Sequence, residues 1–387
     1  MSNANTIPSA LVQALYASLD VVSREMVGMI PAVMRDPRVD RAAIGQTVYS
    51  FVAPAVVSGN ITPGVIPPDD GEQTITTKTV AITSAKRVPI RWQGEETRQM
   101  AGGPGATSIR AMQMQQAVRT LTNEIEAELC GQYVNFSRAQ GTASTDPFAS
   151  TLGDPAGVRQ ILTDNGSPLS DLHLIISSSA GAKMRTLAQL TKANEAADTT
   201  MLRQGVLLDI HGFAIRESGG IKRPASGTGA SATTGTAGYA VGATTIALAS
   251  AGTGTIIAGD VISFANDANK YVVLTGDVDT SNGGSVVLAA PGLRQALPAS
   301  AVAITVVAVS SRNLAFARSA IVLATRLPAL PDGGDMAVDR TTIIDDRSGL
   351  AFEVAMYAQY RQMQYEISCA WGSAVLKPEH TAILLGA

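Results

Sequence analysis

Three histidines, His173, His211 and His380, are the first residues to test for chemistry. Zinc needs three or four Cys, His or carboxylate ligands, commonly with two of them a few residues apart. None of the three histidines has a second His or Cys at such a spacing. His173 stands inside the apolar run Leu172-His173-Leu174-Ile175-Ile176 and reads as a hydrogen-bonded core residue. Glu124 and Glu128 are four residues apart and share a helix face, where paired carboxylates can exchange protons. Glu126 falls on another face, so the three read as an acidic surface, solvated or facing another subunit. The run Gly102-Gly103-Pro104-Gly105 lacks the Gly-Lys-Ser/Thr of a phosphate loop and reads as a turn leading into a helix. Cys130 and Cys369 read as reduced thiols. No nucleophile elbow, His-Glu-x-x-His pair or dinucleotide fingerprint is present. These residues predict no enzyme: no catalytic group, no cofactor-binding residue and no metal ligand.

What remains is the material that builds elements. The 387 residues suggest two or three domains at about 100–200 residues each. Hydrophobic residues make up 45%, which excludes a wholly disordered chain. Charged residues make up only 16%, against about 25% in an ordinary soluble domain. Low surface charge suggests extensive burial against partners. With 29 basic and 32 acidic residues, and no basic run longer than Lys86-Arg87 or Lys222-Arg223, the chain is not a basic nucleic-acid binder. No stretch of about 18 uninterrupted apolar residues occurs, so no membrane-spanning helix is expected. The polar residues 1–9 lack the pattern of a signal peptide.

Residues 6–34 read as an amphipathic helix, with Leu11, Leu15, Leu19, Val22, Met26 and Met29 on one stripe. Pro31 kinks or ends it. Residues 46–54 read as a strand, 58–73 as a Pro/Gly loop, and 74–92 as β-rich, with Val80, Ile82, Val88, Ile90 and Trp92 at period two. These form the arms of a long hairpin, which needs a neighbour to lie on. Residues 108–138 predict one long helix with Met114, Val118, Leu121, Ile125, Leu129, Tyr133 and Phe136 on its apolar stripe. A helix at 154–163, a strand at 172–177, a helix at 178–191 and a strand pair at 206–215 suggest a mixed α/β domain.

Composition shifts at Pro224. Short Thr/Val/Ile runs at 244–248, 255–257, 261–264, 271–274, 285–288 and 303–309 predict six strands of a small all-β barrel or sandwich, inserted into the α/β domain. Strands are expected afterwards at 320–325, 341–344, 350–360 (with a part-helical segment as its alternative) and 364–371, with a final extended segment at 374–378.

The order of parts, together with three segments, resembles a tailed-phage major capsid protein of the Hong Kong 97 fold. The segments are Val241-Gly242-Ala243-Thr244-Thr245-Ile246-Ala247-Leu248, Ala258-Gly259-Asp260-Val261-Ile262-Ser263-Phe264-Ala265 with Lys270-Tyr271-Val272-Val273, and Asn313-Leu314-Ala315-Phe316 with Ala320-Ile321-Val322-Leu323-Ala324. The stretch from Val241 to Val273 is similar to the inserted domain of short-tailed-phage coat proteins. The resemblance implies an α+β fold with an N-arm (1–41), an E-loop hairpin (42–100), a spine helix of the peripheral domain (101–149), an axial domain (150–223), the inserted β domain (224–310) and remaining axial and peripheral strands (311–387). It implies self-assembly into pentamers and hexamers of an icosahedral virion capsid, in the host bacterial cytoplasm, around double-stranded DNA. A separate scaffolding protein is expected, because no long scaffold-like segment precedes the N-arm, and a portal protein at one vertex. A bacterial nanocompartment shell, an encapsulin, is the alternative on the same fold. Inter-subunit contact is expected at Leu11, Leu15, Val80, Ile82 and Trp92. At the acidic loops Asp267 and Asp277, pairing across subunits and solvated turns stand evenly. Contact with packaged DNA is expected to be weak and non-specific, with Arg110 and Arg119 as candidates, and no membrane partner is expected.

Overall fold

The computed structural model of the protein describes residues 27–52, 58, 60, 61, 63–66, 76–100, 106–187, 190, 209–345 and 348–387. Leu11, Leu15 and the Gly102–Gly105 run lie outside these residues. In chain order the elements are β1 (Met34–Ala42), β2 (Thr47–Val52), β3 (Thr76–Ala81), β4 (Ser84–Gln93), α1 (Gly94–Met100), α2 (Ala106–Gly131), β5 (Arg138–Gln140), α3 (Gly153–Asp164), β6 (Leu172–Ile176), α4 (Ser178–Thr186) and β7 (Phe213–Glu217). Then follow β8 (Thr245–Ala247), β9 (Val261–Phe264), β10 (Lys270–Thr275), β11 (Ser285–Leu288) and β12 (Ile304–Val306). The chain closes with β13 (Ser311–Ala317), β14 (Ile321–Pro328), β15 (Ala337–Ile344), β16 (Ala351–Gln359), β17 (Gln362–Val375) and β18 (Thr381–Gly386). The fold is α+β.

The first helix expected from the sequence does not reach Met34. Residues 27–33 form a turn, and β1 then pairs in parallel with β14. Pro37 explains the strand: it disfavours helical backbone at Asp36, and the ladder shifts register between Pro37 and Arg41. Met29, Ile30, Ala32 and Val33 are buried in the main core all the same.

The second hairpin arm is also split. β2 and β3 pair antiparallel from Thr47–Ala81 to Val52–Thr76, and with no other described strand. At Thr83 the chain changes sheet, its N–H donating to the carbonyl of Trp371 at 3.1 Å. β4 then pairs with β17 over ten positions, from Ser84–Trp371 to Gln93–Gln362. Val88, Ile90 and Trp92 therefore belong to the six-stranded sheet, ordered β1-β14-β17-β16-β15 with β4 on β17. A half-buried edge strand and a hairpin arm share the same period-two signature, which is why the sequence did not separate them.

α2 spans 26 residues, roughly 39 Å at about 1.5 Å per residue. It stops at Gly131, seven residues short of the expected end, and a 3₁₀ turn follows at Gln132–Asn135. Met114, Val118, Leu121, Ile125 and Leu129 are buried as the stripe requires. Phe136 joins the same core from extended backbone, so the apolar spacing outran the helix.

The ten-stranded sheet runs β12-β9-β10-β5-β18-β13-β6-β7, with β11 on β10 and β8 on β11. The strands of 224–310 are thus continuous with the α/β sheet through β5 and β10, where Lys270 pairs with Ala139 and Tyr271 with Arg138. Five of the six expected strands are present; 255–257 supplies only an isolated bridge from Ile256 to Asp277. A separate apolar cluster, including Ile246, Ile262, Phe264, Val286 and Leu297, fills this part of the molecule. The Arg312 N–H donates to the Lys222 carbonyl at 2.9 Å, so the chain leaves and returns at adjoining points. Arg138 closes the seam between the two parts. Its guanidinium donates to Asn269 Oδ1, Ile161 O and Asn165 Oδ1 at 2.9, 3.2 and 3.1 Å.

β16 is strand throughout, with no helical part. β17 continues to Val375, through the start of the segment expected to be separate. The sequence reading missed β18, which lies between β5 and β13 and is buried at every position. A strand covered on both faces shows a continuous apolar run instead of alternation.

Candidate assembly surfaces

Two of the three carboxylates on α2 are spent on contacts inside the chain, and Glu124 stays at the surface. Glu126 is 3% exposed and accepts the backbone N–H groups of Gly28, Met29 and Ile30 at 2.9, 2.8 and 3.0 Å, and the Ser218 hydroxyl at 2.5 Å. A side chain at Gly28 would meet the Glu217 carbonyl at 2.6 Å, so only glycine lets this turn settle against β7. Glu128 accepts from Trp371 Nε1 at 2.8 Å, Thr83 Oγ1 at 3.0 Å and Ser84 Oγ at 3.2 Å. Only Glu124 makes a surface pair, with Lys86 at 2.7 Å. Two carboxylates on one helix thus pin the entering chain (Glu126) and the root of the β2–β3 ribbon with β17 (Glu128). The signal available in the sequence was the place of Glu126 beside Ile125 on the apolar side of the helix. Burial, reinforced by the Glu126 charge, pushes the Cys130 thiol up to about 12, and burial does the same at Cys369, so neither is a nucleophile at neutral pH.

Of the residues expected to touch neighbours, Val80, Ile82, Trp92, Asp267 and Asp277 are described, and each has contacts within its own chain. Val80 and Ile82 are buried with Ala42, Val322, Ala324, Ala370 and Leu376. Trp92 donates from Nε1 to Gln113 Oε1 at 2.9 Å, and the Arg110 guanidinium lies 5.0 Å from its ring centroid. Asp267 is buried, accepting the Tyr271 hydroxyl at 2.6 Å and the Asn269 backbone N–H at 2.9 Å. Asp277 is half-buried and accepts the Asp279 N–H at 2.8 Å. His173 is buried, with Nε2 2.9 Å from Asp171 Oδ1. Burial lowers its pKa and outweighs the opposing pull of Asp171, so the imidazole is neutral at pH 7.

Beyond its root the ribbon gathers exposed apolar residues. Tyr49 on β2 is 63% exposed, and Ile61, Val65 and Ile66 at the far end are 97%, 104% and 80% exposed. Scattered single apolar residues on a surface need no explanation, but three within six positions of one projection make a patch. Among the described residues, no group of three or more His, Cys, Asp or Glu could hold a metal ion, and no helix is long and apolar enough to cross a membrane.

A charged network ties β1 to β15 and β16. Glu353 accepts from Arg41 at 2.5 Å and from Arg340 at 2.8 Å. Arg340 also pairs with Asp335, which accepts the Tyr357 hydroxyl at 2.9 Å. The hydrogen bond from Arg340 holds the Asp335 pKa down at about 2. Because the folded value lies below the unfolded value of about 3.9, this stabilisation is present above pH 4 and is lost as pH falls towards 2. Asp335 is exposed, so its share at pH 7 is at most about 1 kcal/mol. Urea melts of Asp335→Asn should therefore differ little from the parent at pH 2 and should lose a few tenths to about 1 kcal/mol at pH 7. An equal difference at both pH values would show that the ion pair is not the cause.

No protein-family model matches the chain. No curated protein matches it either. Among solved structures, the chain is similar to the capsid structure of the Cyanophage P-SCSP1u, with 12% identity over 95% of this chain and 90% of that one and a TM-score of 0.49. It is similar to a chain of Mycobacterium phage Che8, with 12% identity over 89% and 85% and a TM-score of 0.46. A virus-like particle from Pyrococcus furiosus is similar at 9% identity over 97% of each chain, with a TM-score of 0.42.

Proposed function

We propose that this chain is the major capsid protein of a tailed phage, assembling into an icosahedral shell around double-stranded DNA. The observation that carries the reading is the β2–β3 ribbon. It pairs with no other described strand, and between its two strands Ile61, Val65 and Ile66 are left exposed among the described residues. Burying each such side chain is worth about 1.5–3 kcal/mol, and a neighbouring copy repeats the same surface at every symmetry-related position. A structural role also fits a polar chemistry spent on internal pins, with Glu126, Glu128 and Glu353 all consumed by contacts within the chain.

On this reading the subunits form pentamers and hexamers, a separate scaffolding protein guides assembly in the host cytoplasm, and a portal protein occupies one vertex. DNA is enclosed with weak, sequence-independent contact, and unassembled subunits should bind duplex more weakly than about micromolar at physiological salt.

The test is the double variant Ile61→Asp with Ile66→Asp. Its melting free energy should match the parent within about 0.5 kcal/mol, as exposed positions allow, while negative-stain images lose the closed particles the parent forms. Unchanged particles would sink the ribbon as an assembly contact. Large particles holding DNA support the phage shell; small empty or enzyme-filled ones mean a nanocompartment instead.

A further inference from the structure

A cleft of about 1240 Å³ opens between α1 and the β16–β17 turn. Its frame is fixed: the Gly94 N–H donates to the Arg361 carbonyl at 3.2 Å, and Arg361 sits in the left-handed region at φ 55°. Arg98 and Arg361 both line it and are exposed, and neither pairs with a described carboxylate. Among the described residues Glu95 is the one lining carboxylate, since Glu96 accepts the Gln93 N–H at 2.9 Å. A third guanidinium, that of Arg110, stacks behind the wall on Trp92 and donates to Thr97 Oγ1 at 3.2 Å. The site therefore carries a positive surplus over an apolar floor of Trp92 and Met363.

From this arrangement we infer that the cleft is a docking site for an acidic peptide segment of a partner protein. Exposed arginines without a described carboxylate partner are the usual recognition groups for carboxylates, because the planar fork donates two parallel N–H bonds to them. Gln93 and Gln362 offer both donors and acceptors, which match the edges of a peptide chain. With Glu95 opposing two arginines, the cleft carries too few cations to neutralise a run of phosphates, so a peptide is favoured over a nucleic acid. The inference holds whether or not the chain forms a shell.

The test uses the unassembled full-length chain and a fluorescein-labelled peptide of ten glutamates, followed by anisotropy. Binding is expected at about 0.05 M salt and should weaken at least tenfold at about 0.5 M, where charges are screened within a few ångströms. The double variant Arg98→Glu with Arg361→Glu should lose at least tenfold in affinity, and Arg223→Glu, an exposed arginine elsewhere, should lose less than twofold. The near-ultraviolet circular dichroism should stay that of the parent; if the double variant fails to fold, Arg361→Gln alone should still lose threefold or more. No binding by the parent, an equal loss in Arg223→Glu, or tighter binding of a ten-nucleotide DNA strand than of the peptide would each overturn the inference.

Discussion

Replacing Glu126 by alanine is expected to lower subunit stability by about 4 kcal/mol or more. Three buried backbone N–H groups and the Ser218 hydroxyl donate to this carboxylate. Each buried donor left without a partner costs about 1–3 kcal/mol. Bonds to an ionised acceptor stand at the stronger end. Glu126→Gln keeps one carbonyl oxygen and should lose about half as much. Urea unfolding checks both values, and amide exchange at Gly28, Met29 and Ile30 should accelerate in the alanine variant before exchange rises in β17. A loss under about 1 kcal/mol in the alanine variant would mean that the entering turn is held by its apolar side chains and not by the carboxylate.

The second large effect is expected at Trp371. Its ring is 1% exposed in the main core and its Nε1 donates to Glu128 at 2.8 Å. Truncation to alanine removes the largest of the fully buried side chains, with an expected cost of about 3–5 kcal/mol. Phenylalanine keeps most of the volume and loses the donor, so Trp371→Phe should cost about 1–2 kcal/mol. Because Glu128 also holds Thr83 and Ser84, both variants should loosen the root of the ribbon, read as faster proteolysis between β3 and β4. Equal losses in the two variants would assign the whole effect to the hydrogen bond and none to packing.

Local pattern carried much of this architecture. The α2 stripe from Met114 to Leu129, the buried run of β6 and the turn-bounded strands from β8 to β12 follow from side-chain spacing, which any backbone of that type must satisfy. Partnership was not legible. Nothing in the period-two spacing of Val80, Ile82, Val88 and Ile90 says that the chain changes sheet at Thr83, because both ladders ask for the same alternation. Glu126 and Glu128 resembled a surface row with Glu124 because their partners lie on other segments: Ile30 is 96 residues upstream of Glu126, and Trp371 is 243 residues downstream of Glu128. Leu11 and Leu15 lie outside the described residues, while Val80 and Ile82 show how an apolar stripe predicts burial without naming what does the burying.

The pairing of β1 with β14 and of β4 with β17 sets a clock on how a subunit matures. Met34 meets Val322, and Lys86 meets Cys369, across most of the chain. Ribosomes add about 5–20 residues per second, so the roughly 290 residues separating β1 from its partner take about 15–60 s to appear. Throughout that interval both strands hold open ladder edges that cannot yet be filled. Non-local pairing of this kind also slows folding after release, because loop closure must precede any gain from contact. Each chain thus passes through a long aggregation-prone window before a competent subunit exists. Faster translation or lower temperature during expression should therefore change the yield of soluble protein more than any surface substitution outside the ribbon.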